Sequence, residues 1–161
     1  MNLTENFTVQ EMTASATAKA RGIPNNPSLD VLANLRRLAI ELEKVRQLAG
    51  MVPLKLHSCY RSPILNGVVG GAKNSYHMLG LAADFDPPDG TTHDQLQHAI
   101  GAEPSIDFDL ILEEGTAKPE SEGGSRWVHF QISKDGIPGR RLIRDAVVDK
   151  LGGTITRTSA G

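Results

Sequence analysis

Residues Ser75–Asp84 read S-Y-H-M-L-G-L-A-A-D, and the rest of the chain is organised around them. The stretch sets a His and an Asp seven positions apart, with the small residues Gly80, Ala82 and Ala83 between them. Leu81–Asp86 is apolar and ends on P-P-D-G, which predicts a strand closed by a turn. Side chains alternate along a strand, so Asp84 shares a face with Ala82 and turns away from Ala83 and Phe85. His77 lies on the loop before this strand, close enough to fold back toward Asp84.

Downstream, W-V-H at Trp127–His129 sits inside a second predicted strand, Arg126–Ser133. His129 there shares a face with Trp127 and Gln131. One carboxylate and two imidazoles suit Zn²⁺, and a catalytic zinc keeps its fourth position for water. His77, Asp84 and His129 are therefore the candidate metal ligands. Phe108–Glu114 (F-D-L-I-L-E-E) predicts a further strand, with Phe108, Leu110, Leu112 and Glu114 on one face. The polar, glycine-containing segment Gly115–Ser125 predicts a loop.

Upstream, Thr8–Glu11 fits a capping box and predicts a helix over roughly residues 9–20. G-I-P-N-N-P at Gly22–Pro27 breaks it. Val31, Leu35, Leu38, Leu42 and Val45 recur at three- and four-residue steps, which predicts a packing helix from Ser28 to Ala49, stopped by Gly50. Leu54–Ser58 alternates and predicts a strand, followed by C-Y-R-S-P and a loop with Gly67, Gly70 and Gly71. Thr92–Ile100 predicts a helix with Leu96, Ala99 and Ile100 on its apolar side. Helices first, then strands broken by one helix, favour an α+β fold with a small antiparallel sheet. Residues 1–139 form the expected domain; the tail 140–161 is expected to make a short helix and then fray.

Composition narrows the function. At 161 residues the chain is long enough for one domain with a real core. A formal charge of -2 gives no reason to expect nucleic acid or an anionic membrane as partner. The single cysteine, Cys59, excludes an internal disulfide and a cysteine-rich zinc motif. There is no apolar run long enough to span a bilayer. Met1–Met12 lacks a basic region followed by an apolar one, so it does not read as a secretory signal. The expectation is a monomer made in the cytoplasm that needs another agent to reach any extracellular substrate.

The pattern S-x-H-x-x-G-x-A-x-D (Ser75, His77, Gly80, Ala82, Asp84) together with W-x-H (Trp127, His129) resembles the zinc D-Ala-D-Ala peptidases of the M15 family. The likeness is to the branch that includes phage lysis peptidases, and it spans roughly Phe7–Ser133. Ser58, Tyr60, Arg61, Ser62, Pro63, Asn66, Gly70 and Gly71 also match that family's S-G-Y-R-S-P, Asn and G-G positions. Cys59 departs from the pattern, standing where the family usually has Gly. The resemblance implies a fold shared with Hedgehog signalling domains, zinc as cofactor, and the stem peptide of peptidoglycan as substrate. A phage endolysin released by a holin fits the missing signal. A wall-remodelling carboxypeptidase and a non-catalytic zinc-stabilised binding module are the rivals.

The resemblance also implies roles. In several branches the base lies three positions before the last His, but here that residue is Arg126, which stays protonated. In the branch closest to this chain the base ends a strand like Phe108–Glu114, which carries over to Glu114. Glu113 is the neighbouring alternative, and Glu120 and Glu122 lie in the loop. Arg61 carries over as the group that holds a substrate carboxylate or the developing oxyanion. Ser75 is read as a hydroxyl for substrate or ligand, or as a turn residue. Cys59 is a lesser metal-ligand candidate, and Trp127 is read as a packing anchor. His57, His93 and His98 match no motif position, although His57 leads toward Arg61 and could support the site from outside.

Overall fold

The computed structural model describes residues 1–116, 120–148 and 154–155, with side chains described through Arg144. Thr8 caps a first short helix, α1 (Val9–Met12), its hydroxyl accepting from Glu11 N at 3.1 Å. The single helix expected over residues 9–20 is in fact two. Ser15 starts α2 (Ala16–Arg21) by accepting from Ala18 N, so the chain breaks at Thr13–Ser15 where a second cap competes with continuation. Ser28 caps α3 (Leu29–Leu48). Of the predicted stripe, Leu35, Leu38, Leu42 and Val45 are fully buried and Val31 is partly buried against the core; each fully buried side chain contributes roughly 1.5–3 kcal/mol relative to exposure.

The sheet is built from β1 (Lys55–Ser58), β2 (Ala82–Asp86), β3 (Leu110–Gly115), β4 (Arg126–Gln131), β5 (Leu142–Val148) and β6 (Thr154–Ile155). Its order is β1-β2-β4-β3-β5-β6. Two helices complete the fold: α4 (Pro63–Val68) and α5 (His93–Ala102). The loop expected after Arg61 thus contains α4, begun by Ser62 as cap and Pro63 at the first helical position. The capping box that starts α5 joins Thr92 and Gln95 in both directions.

The α+β class holds, but the sheet is mixed rather than purely antiparallel. The helix expected after Gly139 is the strand β5, running parallel to β3 with Leu110, Ile111 and Leu112 opposite Leu142, Ile143 and Arg144. Ile143, Val147 and Val148 are β-branched and suit a pleated surface. Ile143 packs against the core, its Cδ1 lying so close to Gly101 that a side chain there would make Ile143 shift. Of the frayed stretch expected over Gly152–Gly161, Thr154–Ile155 pairs with β5, and the remainder lies outside the described residues.

The two faces of the sheet differ. Ala83, Phe85, Ile111, Val128 and Phe130 join the buried residues of α3 and α5 in one core. Phe108, expected beside Glu114, instead packs against Phe130 in this core, because the strand begins only at Leu110. The opposite face carries Asp84 directly across from His129, and His129 across from Leu112. This polar face floors an open cleft of about 1180 Å³.

Candidate metal centre and active site

His77 reaches the sheet from a 3₁₀ turn, Tyr76–Leu79, rather than from a free loop. Ser75 caps the turn, accepting from His77 N at 3.2 Å. Gly80 ends it at φ +71, and a Cβ there would lie 3.0 Å from Val31 Cγ1 and from the Val31 carbonyl oxygen. The glycine of the motif therefore serves two needs at once, a left-handed backbone and a close approach to α3. The turn aims His77 at the strand that follows it.

His77, Asp84 and His129 converge. Their donor atoms all lie within 4.8 Å of one another, and all three residues are buried. Asp84 Oδ2 is 3.2 Å from His77 Nε2, and Asp84 Oδ1 is 2.9 Å from His129 Nδ1. Burial pushes the Asp84 carboxyl up, but the two imidazoles outweigh burial and hold it well below the usual carboxylate range. Burial lowers the His129 imidazole, and there the hydrogen bond and charge of Asp84, with the charge of Glu114, outweigh it and raise the value to about 9.

The donor set fits a cation. His77 Nδ1 lies 2.6 Å from the Cys59 carbonyl oxygen. A carbonyl only accepts, so Nδ1 carries a proton and Nε2 is the nitrogen left to ligate. That Nε2 is buried, has no hydrogen-bond partner among the described residues, and faces a carboxylate oxygen, which only accepts. Two acceptors in this position call for a positive charge between them. A backbone carbonyl orienting a ligating imidazole through its other nitrogen is the usual outer support of a metal site. Cys59 supplies that carbonyl while its thiol lies in the core, where burial pushes its pKa up. It takes no positive φ, so the residue standing in place of the family's Gly leaves the local backbone unstrained.

Glu114 lies beside the trio. It sits opposite Trp127, whose indole N–H donates to Glu114 Oε2 at 3.0 Å, while Oε1 is 3.9 Å from His129 Nδ1. Trp127, expected as a packing anchor, lines the cleft and serves as a hydrogen-bond donor to Glu114. Glu113 points to the other side of β3, its Oε1 3.8 Å from His93 Nδ1. Arg126 is held by the carbonyls of Thr116 and Ser125, away from the trio.

Arg61 lines the cleft, half-buried, and its buried Nε has no hydrogen-bond partner among the described residues. Burial lowers its pKa, while the charges of Asp84 and Glu114 act to raise it. A Cβ on Gly71 would sit 2.0 Å from Asn66 Oδ1 and 3.1 Å from Arg61 Nη1, so the G-G pair lets the loop lie directly against this side chain. Ser75 lines the cleft too, with its hydroxyl accepting from the turn that carries His77.

The other histidines stay apart from the trio. His57 Nε2 lies 2.6 Å from Asp86 Oδ1, and His98 Nδ1 lies 2.8 Å from the Asp94 carbonyl. Three groups near the site had no motif to announce them. Asn25 bonds the carbonyls of Thr13 and Tyr60 and accepts from Ser62 N, tying the N-terminal segment to the Arg61 loop. Gln131 Oε1 sits 3.4 Å from His129 Nε2, a neighbour that the two-residue strand period does indicate. Arg144 lines the cleft from β5, reached only through the parallel pairing.

Among the described residues no helix is long and apolar enough to cross a membrane. No curated protein matches the chain. A family model described as Peptidase M15 matches residues 5–113, which takes in Arg61, Ser75, His77 and Asp84 and stops one residue before Glu114. By that match and by its α+β fold, the chain belongs to the peptidase M15 family.

Proposed function

We propose that the chain is a zinc-dependent peptidase that hydrolyses an amide bond in the stem peptide of peptidoglycan. The observation that carries this reading is the convergence of His77, Asp84 and His129 beside Glu114, on the floor of an open cleft in an M15 peptidase. His77, Asp84 and His129 would hold the zinc. When bound, zinc acidifies a water and polarises the scissile carbonyl.

The chain's own residues supply the rest. Glu114 accepts the proton of the attacking water and returns it to the leaving amine. Trp127 holds one Glu114 oxygen, which leaves the other turned toward the trio. Arg61 offers a planar, always-charged fork to the oxyanion or to a substrate carboxylate. Ser75 holds the His77 turn and stands where its hydroxyl could also meet substrate. One chain contributes every group named, so a monomer suffices. The lytic setting proposed is that of a phage endolysin released by a holin.

Digestion of purified peptidoglycan with mass analysis of the products tests the proposal. New amine and carboxyl termini within the stem peptide are expected, and their positions identify the bond and whether the cut is internal or terminal. A protein that binds zinc stoichiometrically yet releases nothing would instead be a zinc-stabilised binding module.

A further inference from the structure

We propose that Arg140, Asp109 and Gln131 form a positioning relay that decides which nitrogen of His129 faces Asp84. The inference rests on the zinc reading above for its consequence, and on hydrogen bonds alone for its geometry. Arg140 donates Nε to Asp109 Oδ1 and Nη2 to Asp109 Oδ2, both at 2.8 Å. Asp109 is buried, and its Oδ2 accepts from Gln131 Nε2 at 2.9 Å. A carboxylate held in a two-pronged ion pair only accepts, so Gln131 must turn its NH₂ toward Asp109.

The amide then has no choice at its other end. Gln131 Oε1 points at His129 Nε2, 3.4 Å away. An amide oxygen only accepts, so the Gln131 contact keeps a proton on Nε2 and makes Nδ1 the nitrogen that can give up its proton to a metal. Nδ1 is the nitrogen that lies 2.9 Å from Asp84 Oδ1. Each bond in the series has its direction set by the one before, back to a guanidinium that never loses its charge. The relay crosses three neighbouring parts of the sheet: Gln131 ends β4, Asp109 precedes β3, and Arg140 precedes β5. Arg140 lies beyond the family match at 5–113. Asp109 and Arg140 are not among the residues that line the cleft, and Gln131, which does line it, meets His129 there, so the three act on the site through His129. Loss of such outer support typically costs 10–100-fold in metal affinity.

The test is the zinc Kd of the full chain, measured by competition with a chromogenic chelator. Gln131→Met keeps length and burial but removes both roles of the amide, and Kd is expected to rise about 10–100-fold with the fold retained. Arg140→Met leaves Asp109 buried without its cation and can unfold the chain. Arg140→Lys is therefore the companion variant; it keeps the charge, loses the fork, and should weaken zinc in the same direction by less. In the zinc-loaded wild type, the imidazole ¹⁵N–¹H spectrum should show the His129 proton on Nε2. An unchanged Kd in folded Gln131→Met, or a proton on Nδ1, overturns the relay. Should the wild type take up no zinc, the zinc reading falls separately. The relay is then judged on the metal-free chain by the same spectrum: Gln131→Met should move the resonance of the His129 Nε2 proton, which faces the Gln131 amide oxygen in the wild type, and an unmoved resonance overturns it.

Discussion

Trp127 and Glu114 face each other across the β3–β4 pair, and the indole N–H donates to the carboxylate at 3.0 Å. This bond occupies Oε2 and leaves Oε1 on the side of His129. If Glu114 is the base, Glu114→Gln should lower turnover by at least about 10²-fold, the lower end of what acid–base catalysis contributes. Zinc content and fold should be kept. Glu113→Gln, on the opposite face, should do much less. Trp127→Phe keeps the ring and loses the donor, so a fall of roughly tenfold is expected, equivalent to about 1.4 kcal/mol. Steady-state kinetics on stem peptides ranks the three; an inactive Glu113→Gln beside a near-normal Glu114→Gln would remove Glu114 from the role.

For the metal, His77→Ala, Asp84→Ala and His129→Ala should each abolish stoichiometric zinc and activity together. Elemental analysis of the purified variants is the readout. Zinc retained at full stoichiometry in any one of them takes that residue out of the ligand set.

Arg61→Lys separates charge from shape. The ammonium keeps the positive charge in the cleft but cannot present two parallel donors. Activity should fall while zinc stays bound. Unchanged kcat/KM would leave Arg61 as no more than a half-buried cation in the cleft wall.

The Asp84–His129 pair sets how the metal-free protein responds to pH. Asp84 is held below its usual range, so its contribution is present above an unfolded pKa of about 3.9 and is lost as pH falls. His129 is raised to about 9, so its contribution is complete below an unfolded pKa of about 6.5 and is lost as pH rises through about 9. The metal-free Tm should therefore peak between about pH 4 and 6.5 and decline on either side. If His129 ligates zinc, the metal displaces its proton, so zinc affinity should rise with pH over the range where the metal-free Tm declines. A metal-free Tm that climbs steadily from pH 6.5 to 9 would contradict this coupling.

Gly80→Ala addresses the turn that delivers His77. A methyl group would meet Val31 at 3.0 Å on a backbone at φ +71. A destabilisation of more than about 1 kcal/mol is expected, with weaker zinc binding because the turn carries a ligand. Urea unfolding and zinc titration report the two effects separately.

Much of this site was legible before any coordinates. The trio was readable because short-range rules place its members: strand alternation turns Asp84 to one face, and S-x-H-x-x-G announces a capped turn that must stop at Gly80. The α3 stripe was readable for the same reason, since its period is local. Glu114 and Glu113 were separable because neighbours on a strand face opposite ways. What the sequence could not decide was pairing between distant segments. Whether Leu142–Val148 became helix or strand depended on an open edge at β3, and a sheet edge is not written in the segment that joins it. The break between α1 and α2 turned on whether the Ser15 hydroxyl would cap a new helix or the first helix would continue through it. Asp109, Gln131 and Arg140 meet only after β4, β3 and β5 lie side by side. The candidate ligands and their faces were thus determined by the sequence itself. The nitrogen each imidazole presents was decided by tertiary partners, a carbonyl at Cys59 and an amide at Gln131, because a proton's place on imidazole depends on what stands opposite it.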